Sequence, residues 1–257
     1  MTAWQALFWG GFSSAALYIG EALAGPMARA HRATGLVMAF GAGTLLSAIA
    51  YELVPESSLD EGAAAGLAFG LGAVVYVVGD AVIDRRGGQQ RQFIAVVGSG
   101  TTDVGAVAAP DDDAGGSGPA MFLGALLDGL PEAFVLGIGI QLGGDISVAF
   151  VAAVFVSNIP QGVAGTTSLL AAGYSQRRVF WMWTALTVAA ALTSGLGYLL
   201  GDNIGDQGIY AQAFAAGAVL TMLADSMMPE AFRHGGKLVG LLTVLGYAVA
   251  TALTAFE

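Results

Sequence analysis

Along this chain, long apolar stretches alternate with connections that hold most of the charge. Hydropathy predicts helices near 4–25, 34–54, 63–82, 119–140, 146–171, 179–200, 208–228 and 237–255. Each is long enough to cross a hydrocarbon core of about 30 Å at a rise of about 1.5 Å per residue. One connection is long, at about 83–118. Its first part holds Arg85, Arg86, Gly87, Gly88, Gln89, Gln90 and Arg91, and its second Asp111, Asp112, Asp113, Gly115 and Gly116. That composition predicts a flexible polar loop, so residues 1–257 read as a single transmembrane domain. The first stretch is not expected to be a secretory leader, since no basic residue precedes it and Arg29 and Arg32 follow it.

Composition agrees with an all-α integral membrane protein. Charged residues make up 11% and apolar residues 56%, against about 25% charge in soluble domains. Mean hydropathy is +0.71. There is no cysteine, which excludes disulfides and thiolate metal ligation. The 39 glycines follow no collagen period and favour closely packed membrane helices.

The distribution of charge tests the topology independently. All nine basic residues fall in alternate connections: Arg29 and Arg32; Arg85, Arg86 and Arg91; Arg177 and Arg178; Arg233 and Lys237. The other connections and the ends hold Glu56, Asp60, Glu61, Asp145, Asp202, Asp206 and Glu257, without a Lys or Arg. The positive-inside rule then puts the basic connections in the cytoplasm. Eight helices with both termini on the non-cytoplasmic side satisfy this split, whereas seven or nine break the alternation. The expected location is a cell (plasma or inner) membrane, with the lipid bilayer as partner and no nucleic acid.

The chain also repeats itself. At an offset of 174 residues, AGTLLSAIAYELVPES at 42–57 lies over AGAVLTMLADSMMPEA at 216–231. Gly62, Gly66, Leu67, Leu71, Gly72 and Val75 recur as Gly236, Gly240, Leu241, Leu245, Gly246 and Val249. The second helix runs outward and the seventh inward, so the copies have opposite topology. Helices 1–3 and 6–8 are thus expected to form an inverted repeat around helices 4 and 5, the arrangement of secondary transporters whose site lies at the midplane.

The middle pair carries the candidate chemistry. Asp128-Gly-Leu-Pro-Glu132-Ala echoes Ser157-Asn-Ile-Pro-Gln161-Gly, each cluster roughly ten residues into its helix, near the bilayer centre. Asp128 and Glu132 are four apart and share a helix face. Pro131 and Pro160 remove the hydrogen bonds that the Leu127 and Val156 carbonyls would accept. A central carboxylate costs about 2.5–3.5 kcal/mol, and the one basic residue in any predicted span is Lys237, at the very edge of the last, so none lies near the centre. Cation coordination along a transport path offsets that cost; the plainer alternative is a protonated, hydrogen-bonded pair that serves packing.

At these residues the chain resembles the ZIP (Zrt/Irt-like protein) divalent metal transporters. That family has eight helices, both termini outside, inverted repeats and a long cytoplasmic loop between helices 3 and 4. Its fourth helix carries His-Asn-x-Pro-Glu-Gly and its fifth a related motif ending Asn-x-Pro-Glu-Gly. The resemblance implies that Asp128 stands where the family has its metal-binding His, that Gly129 replaces the Asn, and that Glu132 matches the Glu. Asn158 matches the fifth-helix Asn, and Gln161 replaces the second Glu. The family's second metal is not expected: Gly129 has no side chain, Gln161 is neutral, and 179–200 contains no carboxylate. The remaining set, Asp128, Glu132, Asn158 and Gln161, with Ser157 beside them, is oxygen-rich. The resemblance implies zinc as the transported divalent metal, whereas the ligand types suit a harder ion such as manganese or iron. No organic cofactor is implied.

Other acids frame a path. Glu52 and Glu56 lie toward the outer mouth, Asp225 and Glu230 toward the inner one, as vestibule acids that concentrate cations or as solvated helix ends. Glu21 and Asp80, near Arg29 and Arg85, suit capping or surface pairing. His31 and His234 are expected as solvated residues of cytoplasmic connections, and Asp111–Asp113 as a solvated run. The Gly62/Gly66/Gly70 and Gly236/Gly240 faces suit packing within the fold or at a homodimer contact. A non-transporting relative with a structural or regulatory role is the alternative function. An intramembrane aspartyl protease fits poorly, since Asp80 lacks the glycine context of those enzymes and no Pro-Ala-Leu segment follows; no enzymatic activity is expected.

Overall fold

A computed structural model of the chain describes residues 2–53, 62–88, 118–143, 146–204 and 208–256. Glu56, Asp111–Asp113, Asp145, Asp206 and most of the 83–118 connection lie outside the described residues. Every regular element among those described is helical. In chain order they are α1 (Ala3–Ser14), α2 (Ala16–Arg29), α3 (His31–Ala48), α4 (Ala63–Ile83) and α5 (Gly118–Gly143). Then follow α6 (Val148–Ala171), α7 (Gln176–Ile204), α8 (Gly208–Met222), α9 (Met228–Gly235) and α10 (Val239–Thr254).

Among the described residues, six helices are long and apolar enough to cross a membrane. The last of them, Gly208–Thr254, is 47 residues long, about twice the roughly 20 residues one crossing needs. It does not run straight. The Met227 side chain packs at Gly41, Gly235 lies against Gly35, and Thr243 against Gly43. The chain therefore descends along α3, reverses, and climbs it again. The reversal falls at Gly236, whose φ of +67° favours a residue without a β-carbon. At the other end, α1 and α2 form one stretch broken at Ala15, where Ala15 N–H is shared between the Gly11 and Phe12 carbonyls.

Two stretches leave α geometry at corresponding places. Ile49–Leu53 and Leu223–Met227 are π-helical turns, each just before a Pro-Glu pair in the sequence.

Glycine sets the closest helix contacts. A β-carbon on Gly43 would overlap the Thr243 carbonyl oxygen, and one on Gly246 the Phe40 carbonyl, so α3 and α10 touch backbone to backbone. The α4/α8 crossing is built alike: Gly72 faces the Phe214 carbonyl and Gly217 the Phe69 carbonyl. Gly20 and Gly162 do the same for α2 and α6, Gly137 and Gly197 for α5 and α7. With no hydrophobic drive between helices in lipid, such contacts hold a bundle through dispersion and close approach.

These crossings sort the helices into inner and outer. Within their apolar windows α3 and α6 are each 67% buried, whereas α4 is 11% buried. The core gathers Met38, Leu45 and Leu53 against Val219, Met222 and Met227, with Val135 and Ile140 from α5. The outside is apolar too: Leu67, Leu71 and Val78 of α4, and Leu241, Val244 and Leu245 of α10, are exposed. Exposed aliphatic faces of this extent suit lipid rather than water.

Candidate cation site

The site is built on α5 and α6, the helices that carry the paired proline motifs. Both continue through Pro131 and Pro160 without interruption. Each proline nevertheless withdraws one N–H from the helical ladder at the level of the polar cluster. Asp128 is 3% exposed and Glu132 1%, so both carboxyls lie within the bundle.

Asp128, Gly129 and Ala125 of α5, Asn158 and Gln161 of α6, Leu17 of α2, and Trp183 and Leu186 of α7 line one small cavity. Its free volume is about 20 Å³ measured to the centre of a water-sized sphere, room for one water or one dehydrated ion. Asp128, Asn158 and Gln161 thus converge as the motifs predict. Their surroundings are fixed from outside the motifs. Tyr76 of α4 donates its hydroxyl to Asp128 Oδ1 at 2.5 Å. Asn158 Nδ2 donates to the Ser13 carbonyl at 3.3 Å, beside the break between α1 and α2, which leaves Asn158 Oδ1 as its acceptor. Trp183 Nε1 donates to Thr166 Oγ1 at 2.9 Å, fixing the indole that walls the cavity.

Glu132 is placed differently. It lies one turn along α5 from Asp128 and does not line that cavity. Both of its oxygens are buried with no hydrogen-bond partner, and so is Gln161 Nε2. Buried carboxylates are ordinarily partnered, because desolvation without a compensating bond is expensive. Ser157 points elsewhere: its hydroxyl donates to the Val154 carbonyl at 2.9 Å, and its Cα and Cβ pack at Gly41 of α3.

The mouth residues scatter. Glu52 sits in the first π turn and accepts from Thr254 Oγ1 at 3.1 Å. Asp225 is exposed in the second. Glu230 is tied to its own helix, accepting from Arg233 at 2.9 Å and paired with His234 Nε2 at 2.7 Å. The histidines, expected to be separate and solvated, are neither: the His31 and His234 rings stack with centroids 5.6 Å apart, and His31 Nδ1 is buried without a partner. Glu21 lines an open groove with Tyr18, Gln176 and Phe180.

Among the described residues no three His, Asp or Glu side chains converge at metal-ligand spacing. The cavity's oxygen donors are one carboxylate and two carboxamides, so any cation held there is coordinated largely by neutral oxygens. No protein-family model matches the chain, and neither does any curated protein.

The motifs did not point to Tyr76, Ser13, Trp183 or Thr166. A signal for Tyr76 exists in the sequence: it is a phenol in mid-helix amid valines (Val74, Val75, Val77, Val78), and a polar tip at that depth demands a partner.

Proposed function

We propose that this protein moves a divalent metal cation across a membrane through the polar centre of α5 and α6, as a divergent relative of the ZIP transporters. The observation that carries this reading is Glu132: a carboxyl 1% exposed, with neither oxygen partnered, one helical turn from a second buried acid. A side chain that destabilises the fold in this way is kept for what it binds, and a cation passing between Glu132 and the Asp128 cavity meets both acids in turn. Zinc follows from the resemblance; the oxygen-only donors favour a harder ion such as manganese or iron.

The architecture we propose for this task is eight membrane-spanning helices in two inverted halves, both termini on the non-cytoplasmic side. The double-length stretch Gly208–Thr254 with its reversal supports two crossings there, and the α1/α2 stretch supports one more. The glycine contacts support the inverted relation. At the 174-residue offset, Phe40, Gly43, Phe69 and Gly72 map onto Phe214, Gly217, Thr243 and Gly246. The contact of Gly43 with Thr243 thereby becomes that of Gly217 with Phe69, and that of Gly72 with Phe214 becomes that of Gly246 with Phe40. The π turns at Ile49–Leu53 and Leu223–Met227 correspond at the same offset. A rotation exchanging the halves produces this reciprocity, whereas chance alignment of apolar segments does not. Glu52 and Glu56 then serve the outer mouth, Asp225 and Glu230 the inner one.

Uptake of Mn²⁺, Fe²⁺ and Zn²⁺ into proteoliposomes tests the reading. Wild-type protein is expected to take up at least one of these ions, and Glu132→Gln to abolish uptake while melting no lower than wild type, because it removes an unpartnered buried acid. Full uptake by Glu132→Gln would remove the basis of the proposal.

A further inference from the structure

The hydrogen bond from Tyr76 to Asp128 has a bearing on which ion the site takes. Tyr76 belongs to the helix that otherwise faces outward: its neighbours Val75 and Val77 are 49% and 47% exposed, whereas Tyr76 is 1% exposed. Gly72, one turn before it, lets α4 close onto α8 at the Phe214 carbonyl, which brings the phenol inward far enough to reach α5. Its hydroxyl donates to Oδ1 of Asp128, from the side of α4, while Asp128 lines the cavity shared with α2, α6 and α7.

A carboxylate can meet a cation through one oxygen or both, and the ions differ in what they demand. Calcium gathers about 6–8 oxygens and often takes carboxylates in bidentate fashion, whereas zinc is satisfied by about four ligands and magnesium-sized ions by about six at shorter range. With one lone pair of Oδ1 taken by Tyr76 and that oxygen drawn toward α4, Asp128 meets a cation in the cavity chiefly through its other oxygen. The remaining cavity donors are the single carboxamide oxygens of Asn158 and Gln161, and the volume admits one ion. Charge-assisted bonds of this kind are also the stronger ones, so the restriction is held firmly.

We propose that Tyr76 is a specificity-determining residue: its hydroxyl bond keeps Asp128 monodentate and thereby disfavours calcium relative to smaller divalent ions. This rests on the transport reading above. It goes beyond that reading in assigning ion choice to a side chain outside the motif helices.

The test is competition. Mn²⁺ uptake into proteoliposomes is measured with increasing Ca²⁺ or Zn²⁺ for the wild type, for Tyr76→Phe, and for protein carrying 3-fluorotyrosine at position 76, a more acidic phenol of nearly the same shape. In Tyr76→Phe the Ca²⁺ inhibition constant should improve roughly tenfold relative to that of Zn²⁺, the size of one charge-assisted hydrogen bond; 3-fluorotyrosine should shift the ratio the other way. An unchanged Ca²⁺/Zn²⁺ ratio in Tyr76→Phe, with or without a uniform fall in uptake, overturns the proposal and leaves the transport reading standing. If Tyr76→Phe fails to accumulate, the fluorotyrosine protein decides, and an unchanged ratio there overturns it. A wild type that takes up none of these ions overturns both.

Discussion

Replacing Gly43 by alanine separates the close helix crossings from ordinary glycine content. The added β-carbon would overlap the Thr243 carbonyl oxygen and crowd the Tyr247 backbone nitrogen. A backbone carbonyl cannot rotate out of the way as a side chain can, so α3 and α10 must move apart along their contact. Overpacking costs typically about 1–3 kcal/mol, and a rigid obstacle puts this site at the upper end. Alanine's better helix propensity returns about 1 kcal/mol. The balance is a loss of about 2 kcal/mol, or about 4–8 °C in melting temperature for a chain of this size. Gly66 is the control: it lies on the exposed face of α4, and a β-carbon added there would meet nothing within 4 Å, so Gly66→Ala should melt at or above wild type. Gly217→Ala, which meets the Phe69 carbonyl in the same way, should lose as much as Gly43→Ala. Melting of the purified variants in one detergent, followed by circular dichroism, measures all three. Equal melting of Gly43→Ala and Gly66→Ala would refute the packing argument, and a large inequality between Gly43→Ala and Gly217→Ala would refute the equivalence of the two crossings.

The proposed topology predicts that a cysteine replacing Arg177 reacts with an impermeant thiol reagent only from the cytoplasmic side, and one replacing Asp145 only from the opposite side; labelling of both from one side would overturn it. Thr166→Val keeps the shape of the side chain but leaves the buried Trp183 indole N–H without its acceptor, which should cost about 1–3 kcal/mol and alter tryptophan fluorescence. An unchanged melting temperature and spectrum would show that the indole is not held by that bond.

The helices were legible because hydropathy records directly which segments avoid water: α4 at Ala63–Ile83 differs by one residue from the stretch expected at 63–82. The break at Ala15 was not legible, since it interrupts a run that is apolar on both sides. Nor was the continuation of the stretch expected at 208–228 into α9, since amphipathic Met228–Gly235 carries an acid, an arginine and a histidine. Of the site, spacing placed Asp128 and Glu132 on one face of a helix, but a shared face does not say which neighbour each meets. One turn of separation is enough for Asp128 to reach the cavity while Glu132 lies outside its lining. Ser157 and Asn158 are adjacent in sequence and therefore diverge around α6, one toward Gly41 of α3 and the other toward Ser13. His31 and His234 looked solitary because their encounter depends on Gly35 meeting Gly235, a contact between distant parts of the chain.

The pairing of α3 with α10 has a consequence for biogenesis. Gly43 and the Thr243 carbonyl it abuts are separated by 200 residues of chain, which a ribosome adding roughly 5–20 residues per second takes about 10–40 s to synthesise. On the membrane architecture proposed above, α3 spends that interval with its glycine surface facing lipid or a chaperone instead of its partner. The α3/α10 crossing therefore cannot close until α10 has been made, and a chain stalled before it lacks the surface that covers Gly43.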